Sequence, residues 1–190
     1  MVKQTDAKEI IKIGAILFAI TALAALVLAV MNGVTAPLIE KNQQEKQNAA
    51  MQVVLPEADG FSDKNLKTAD MDSAVTAIYQ STNKKGYAVM VSPYGYGGAI
   101  SMAVGVTPEG EVAGVDIISQ TETAGLGANC TKPEFKSQFI GKTAGITVSK
   151  SGAKNNEIDA ISSATITSKA VTAGVNTAID AVESIKRKGA

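Results

Sequence analysis

An uncharged apolar run near the N-terminus limits what this chain can fold into more than any other feature. The run covers residues 13–31, and Thr21 is its one clearly polar member. As a helix it would be roughly 28 Å long, about the hydrocarbon thickness of a bilayer. A soluble core helix normally keeps a polar stripe, and the apolar part of a signal peptide is usually about 7–15 residues long. The run therefore predicts a retained transmembrane helix, which we place at residues 13–33.

The lysines around this run favour one orientation. Three precede it and two follow it closely: Lys3, Lys8, Lys12, Lys41 and Lys46. Because positive charge is enriched on the cytoplasmic side of a span, residues 1–12 are predicted to be a short cytoplasmic N-terminus. The larger C-terminal part is then predicted to lie on the outer face of the cell membrane.

Composition excludes several classes of function. Lys and Arg balance Asp and Glu at 18 each, so a basic surface for nucleic acid is not expected. The chain has no His and one Cys, Cys130, so it cannot by itself assemble a Cys/His-ligated metal centre, and we predict no metal site. Cys130 is predicted to be a small buried hydrophobic residue. Redox chemistry in this chain would therefore need an organic cofactor.

A helical connector is predicted between the span and the outer domain. Pro37 should end or kink the membrane helix, and residues 34–56 form an amphipathic helix that Pro56 stops. The predicted apolar contacts of this helix are Leu38, Met51, Val54 and Leu55.

Residues 57–190 are predicted to form one α+β domain with antiparallel strands and a C-terminal helix. Positions 57–72 are polar and loop-like, residues 86–92 alternate as a strand does, and a hairpin turn is expected at 107–110. A loop of small residues follows at 119–135, and then a short helix near 134–140. Strands and helices do not alternate as βαβ units, which favours the α+β class.

The last helix has the clearest pattern. Its apolar residues step by four, three, four and three: Val171, Val175, Ala178, Val182 and Ile185. This spacing is one face of a helix over residues 169–186, and Ser168 is the predicted N-cap.

A cluster of hydroxyls lies directly before this helix, in the segment "DAISSATITSKAV" at 159–171. Five of the seven residues from 162 to 168 carry a hydroxyl: Ser162, Ser163, Thr165, Thr167 and Ser168. Helix capping explains one or two of them. The remainder favours a loop that holds a phosphate, because helix N-termini attract anions.

This segment resembles the flavinylation motif of the FMN-binding domain family, Asp-x-x-Ser/Thr-Gly-Ala-Thr/Ser. Asp159, Ser162, Ala164 and Thr165 match the motif, whereas Ser163 replaces its Gly. In that family the last Thr or Ser is esterified to the phosphate of FMN. The resemblance therefore implies a covalent FMN on Thr165, with the neighbouring motif residues, Thr167 and Ser168 close to the cofactor.

A second segment supports the same resemblance. "TETAGLGANC" at 121–130 is similar to the family's Glu-Thr-Pro-Gly-Leu-Gly loop, with Ala124 in place of Pro. By that match the residues near the flavin are Glu122, Thr123, Gly125, Leu126 and Gly127.

Over nearly its whole length the chain resembles the G-subunit family of Rnf-type electron-transport complexes. That family is related to the generally longer C-subunit family of the Na⁺-translocating NADH:quinone reductases. The resemblance implies an electron-carrying protein of a larger complex rather than an enzyme on its own. Such a complex passes electrons between ferredoxin and NAD and moves Na⁺ or H⁺. The implied partners are the other membrane proteins of the complex and a flavin transferase for maturation.

Two other functions stay open from the sequence. One is a stand-alone extracytoplasmic flavin reductase, and the other is a membrane-tethered binding or assembly domain without redox activity. A binding module would purify colourless, which distinguishes it from both flavoproteins.

Overall fold

The computed structural model describes residues 7–62, 64–67 and 70–189. It divides into two compact units, Met1–Glu45 and Lys46–Ala190. Of the predicted cytoplasmic N-terminus, residues 1–6 lie outside the described part, as do positions 63, 68 and 69 of the predicted loop.

Helix α1 spans Ala7–Val54 and passes through Pro37 without ending there. Of the two outcomes expected at Pro37, an end of the helix is therefore wrong. Proline removes one backbone donor, but the helix continues on both sides of it, and the hydroxyl of Thr35 donates to the Met31 carbonyl at 2.9 Å. The helix ends two residues before Pro56, as the sequence predicts.

The N-terminal unit provides one candidate membrane span among the described residues. The helix that contains it has an 18-residue window of mean hydropathy 2.8, and none of that window is buried. Thr21 satisfies its hydroxyl within the helix, by donating to the carbonyls of Leu17 and Phe18 at 3.0 Å. Such internal pairing suits a helix in lipid, where no water is available as a partner.

The C-terminal unit is built on a four-stranded antiparallel sheet in the order β1-β2-β3-β4. Its strands are β1 Val75–Gln80, β2 Tyr87–Val91, β3 Ser101–Val106 and β4 Val112–Ser119. The β3–β4 turn lies where the sequence predicts it, closed by the Thr107 N–H on the Glu111 carbonyl at 2.8 Å. The sequence did not predict a short parallel pair, β5 Thr147–Ser149 with β6 Glu157–Asp159.

Both faces of the sheet are covered. On one face lies the main core, to which β2 contributes Val89 and Val91. On the other face Ala88 and Met90 of β2 pack with residues of the last turns of α1, including Met51 and Val54. The predicted burial of Met51, Val54 and Leu55 is thus confirmed, whereas Leu38 is exposed.

Helix α2 covers Pro133–Lys136 and continues into a 3-10 turn, close to the predicted short helix. Cys130 precedes it and is fully buried, as expected. Helix α3 spans Thr165–Gly189 and buries its predicted apolar face on the main core.

Helix α3 begins four residues earlier than the sequence indicated. Ser168 is therefore not the N-cap but lies in the first turn, fully buried. Its N–H donates to the Ala164 carbonyl at 3.0 Å, so Ala164 precedes the first helical residue. Sequence reasoning missed this because the apolar periodicity starts only at the second turn.

Candidate functional site

A cleft of about 530 Å³ lies where three loops of the C-terminal unit meet. The loops come from the β2–β3 connection, from the segment after β4, and from the start of α3. The lining residues are Tyr96, Glu122, Thr123, Leu126, Gly127, Ser163, Ala164, Thr165, Ile166 and Thr167. Parts of the two segments that sequence reasoning singled out, 121–130 and 159–171, thus share one cavity.

The first turn of α3 presents backbone donors to this cleft. In a helix the first N–H groups have no intrahelical acceptor, which here leaves those of Thr165, Ile166 and Thr167. Ser168 anchors the turn, because its hydroxyl accepts from the Ile161 N–H at 2.9 Å and donates to the Ala164 carbonyl at 3.0 Å. These donors and the positive end of the helix dipole suit an anionic group.

The hydroxyls of the cluster differ in access. Thr167 is 1% exposed and donates its hydroxyl proton to Glu122 Oε2. Ser162 is exposed but does not line the cleft, whereas Ser163 is exposed and lies at its edge. Thr165 is partly exposed and lines the cleft at the helix start. It is therefore the hydroxyl residue of the cluster that is partly exposed and also belongs to the first turn with its backbone donors.

Ser163 occupies a backbone conformation that favours glycine. Its φ is +59°, in the left-handed region that costs a residue with a Cβ roughly 1 kcal/mol or more. The family motif has Gly at this position, and the loop keeps the conformation that Gly adopts freely.

We expect Ser163→Gly to stabilise the protein by about 0.5–1 kcal/mol, since relief of left-handed strain exceeds the added freedom of the unfolded chain. The measurement is thermal unfolding of the full chain in detergent. Ser162→Gly is the matched control, because Ser162 lies outside the positive-φ residues and should gain nothing. Equal or lower stability of Ser163→Gly would contradict this account.

Glu122 is the buried charged group of the site. Its side chain is 8% exposed; Oε1 accepts from the Gly97 N–H at 2.8 Å, and Oε2 accepts from the Thr167 hydroxyl. Burial acts to raise the pKa of Glu122, but hydrogen bonds from Thr167, Gly97 and the Tyr96 backbone outweigh it and hold the pKa below its usual value. Burial, with the nearby Glu122 charge, raises the pKa of Cys130 to about 11.

Glycines make the space that this carboxylate occupies. A Cβ at Gly127 would lie 2.6 Å from Glu122 Oε2 and 2.6 Å from Thr167 Oγ1. A Cβ at Gly95 would clash with Glu122 Oε1 and approach Ile100 Cδ1 at 2.8 Å. Larger residues at these two positions would displace the carboxylate.

Sequence reasoning missed Tyr96, which lines the cleft and is 73% exposed. The signal was present in "PYGYGG" at 93–98, where two tyrosines are set among glycines. Exposed aromatic side chains on a tight loop are unusual unless they bind something.

Some predicted residues are not at the cleft. Asp159 is exposed, accepts from the Ala153 N–H at 2.7 Å, and lies at a separate shallow pocket. Gly125 serves its turn with a φ of +77° but does not line the cavity, and Ser168 supports the first turn from below.

The cleft fits FMN in size and chemistry. Small-molecule sites usually measure about 300–1,000 Å³. The helix N-terminus suits a phosphate, and the apolar side chains of Tyr96, Leu126 and Ile166 at its rim suit a flat ring. Among the described residues no cluster of His, Cys, Asp and Glu could hold a metal ion.

Two family models match this chain. The FMN-binding domain matches residues 95–180, which include the whole cleft lining, and the RnfG N-terminal region matches residues 1–54.

Curated relatives align over almost the full length. The chain is 39% identical to the G subunit of the proton-translocating ferredoxin:NAD(+) oxidoreductase complex of Clostridium ljungdahlii, with 96% of each chain covered. It is 36% identical to the G subunit of the Na(+)-translocating ferredoxin:NAD(+) oxidoreductase complex of Acetobacterium woodii, with 97% of each covered.

A solved structure shares the fold of the C-terminal unit. It is the C subunit of the Na(+)-translocating NADH-quinone reductase from Parabacteroides distasonis, with a TM-score of 0.52 at 21% identity. That match covers 74% of this chain and 92% of the other.

Proposed function

Since this chain belongs to the family of G subunits of ion-translocating ferredoxin:NAD(+) oxidoreductase complexes, we propose that it is a membrane-anchored flavoprotein component of such a complex. It relays electrons through an FMN that is attached to Thr165 by a phosphoester bond. The supporting observation is the position of Thr165, which is partly exposed, lines the cleft and is the first residue of α3.

The attachment is a group transfer in which FAD supplies the FMN group and Thr165 accepts it. The Thr165 hydroxyl oxygen attacks the FMN phosphorus, the P–O–P bond of FAD breaks, AMP leaves, and the hydroxyl proton is released. A separate flavin transferase, with its own metal ion, performs this step. The chain's own part is to present Thr165 and to receive the phosphate on the N–H groups of 165–167. Ser168 does not contribute its N–H, which is already bound to the Ala164 carbonyl.

Bound FMN supplies the electron-transfer chemistry, while the protein sets its position and surroundings. Thr123, Leu126 and Gly127 line the cleft together with the start of α3, and the apolar side chains at the rim give a flat ring a surface to pack on. The chain acts as an electron carrier, and its donor and acceptor are other members of the complex. We place the N-terminus in the cytoplasm and the flavin domain on the outer face.

The test is the intact mass of the denatured full chain after co-expression with a flavin transferase. We expect an increase equal to one FMN less water, and peptide mapping of 155–169 should place it on Thr165. A control substrate shows that the transferase is active. An unmodified mass under those conditions would contradict the proposal and favour the binding or assembly domain, with Ser163 as the first residue to change to Gly.

A further inference from the structure

We propose that Glu122 is a positioning residue whose uncompensated negative charge lowers the reduction potential of the flavin in the cleft. This inference rests on the proposed function, because it concerns the flavin that the cleft would hold. The carboxylate of Glu122 contacts the other two loops that form the site, at Gly97 and at Thr167.

The hydrogen bonds of Glu122 hold two other loops of the site in place. Glu122 accepts from the Gly97 N–H in the β2–β3 loop and from the Thr167 hydroxyl in the first turn of α3. It thereby joins these two parts of the site. Tyr96 lies beside Gly97, and Thr165 is two residues before Thr167. Through these bonds Glu122 fixes the positions of an aromatic rim residue and of the proposed attachment residue.

The negative charge of Glu122 has no positive partner among the described residues. Among the described residues no cation makes an ion pair with Glu122. The loops around it, 94–98, 123–128 and 163–167, contain no Lys, Arg, Asp or Glu. The carboxylate is stabilised by hydrogen bonds from neutral donors alone, and those bonds keep it ionised.

The charge of Glu122 lies where it can act on a bound flavin. Glu122 lines the cleft yet is 8% exposed, so water screens it poorly. A fixed negative charge beside a bound flavin opposes the addition of electrons to it. The protein donors on the two oxygens hold the carboxylate in place, and Glu122 acts on the ring through the field of its charge.

The experiment measures the midpoint potential of the covalently loaded full chain by spectroelectrochemistry. Glu122→Gln removes the charge at nearly constant shape. We expect a more positive potential, with the equilibrium constant for flavin reduction raised about tenfold, the order expected for one unit charge within about 10 Å at an effective dielectric constant of about 20.

Two further variants separate charge from position. Glu122→Asp keeps the charge but shortens the reach, so its melting temperature should fall while its potential stays near that of the wild type. Thr167→Val removes one hydrogen bond that partly neutralises the carboxylate, so its potential should fall. If Glu122→Gln does not fold, a lower potential in Thr167→Val supports the inference, and an unchanged potential overturns it.

An unchanged potential in loaded Glu122→Gln, or a rise of equal size in Thr167→Val, would overturn the inference and leave the proposed function intact. Failure of the proposed function looks different, because the wild-type chain would then carry no flavin mass with an active transferase. That result would contradict both the proposed function and the inference about Glu122.

Discussion

The Thr165→Ala variant is expected to fold and to carry no covalently bound flavin. Thr165 is the first residue of α3 and lies at the cleft surface, so loss of its side chain should change the free energy of unfolding by about 1 kcal/mol or less. The loss of attachment should be complete, because among the described hydroxyls of the cluster Thr165 alone combines exposure with the helix-start donors. Intact mass of denatured protein, after co-expression with a transferase, measures it.

Matched variants sharpen this test. Thr165→Ser keeps a hydroxyl and should restore the FMN mass. Ser151→Ala changes an exposed residue outside both motifs and outside the cleft, and it should load as the wild type does. If Thr165→Ala retains the FMN mass after denaturation, the acceptor is another residue, and Ser163 at the edge of the cleft is the next to replace.

Gly105→Ala is expected to destabilise the C-terminal unit by about 2–3 kcal/mol, from overpacking at a backbone contact. A Cβ at Gly105 would overlap the Val54 carbonyl oxygen and lie 2.7 Å from the carbonyl carbon. A Cβ at Gly114, its cross-strand partner, would lie 2.9 Å from that oxygen. The end of α1 packs directly on these two glycines. An added Cβ would push against backbone atoms of Val54, which cannot shift without disturbing the helix or the sheet.

For a chain of this size the loss corresponds to a melting temperature lower by roughly 5–10 °C. Thermal unfolding of the full chain in detergent measures it. Gly60→Ala is the control, because its nearest atom would be Thr82 Oγ1 at an ordinary 3.7 Å. A Gly105→Ala variant as stable as the Gly60→Ala control would show that the end of α1 does not pack on the sheet as described.

The sequence predicted well where one pattern dominates. The apolar run predicted a long N-terminal helix, and the four-three spacing of Val171, Val175 and Ala178 predicted the buried face of α3. The helix does not end at Pro37, which was one of the two expected outcomes there, because the helical residues on both sides outweigh this local breaking signal. Sequence reasoning placed the start of α3 one turn late, because burial of Ser168 is not visible in apolar periodicity.

The candidate site, like the fold, could be predicted from the sequence only in part. Sequence alone identified the two loops, because their motifs are contiguous, and the lack of His together with a single Cys predicted an organic cofactor for any redox chemistry. Tertiary structure alone brought Glu122 against Thr167, 45 residues away, placed Tyr96 at the same cleft, and buried Thr167 while leaving Thr165 accessible. Those relations depend on how distant loops pack over a sheet, and a local pattern carries no information about which of its hydroxyls faces the core.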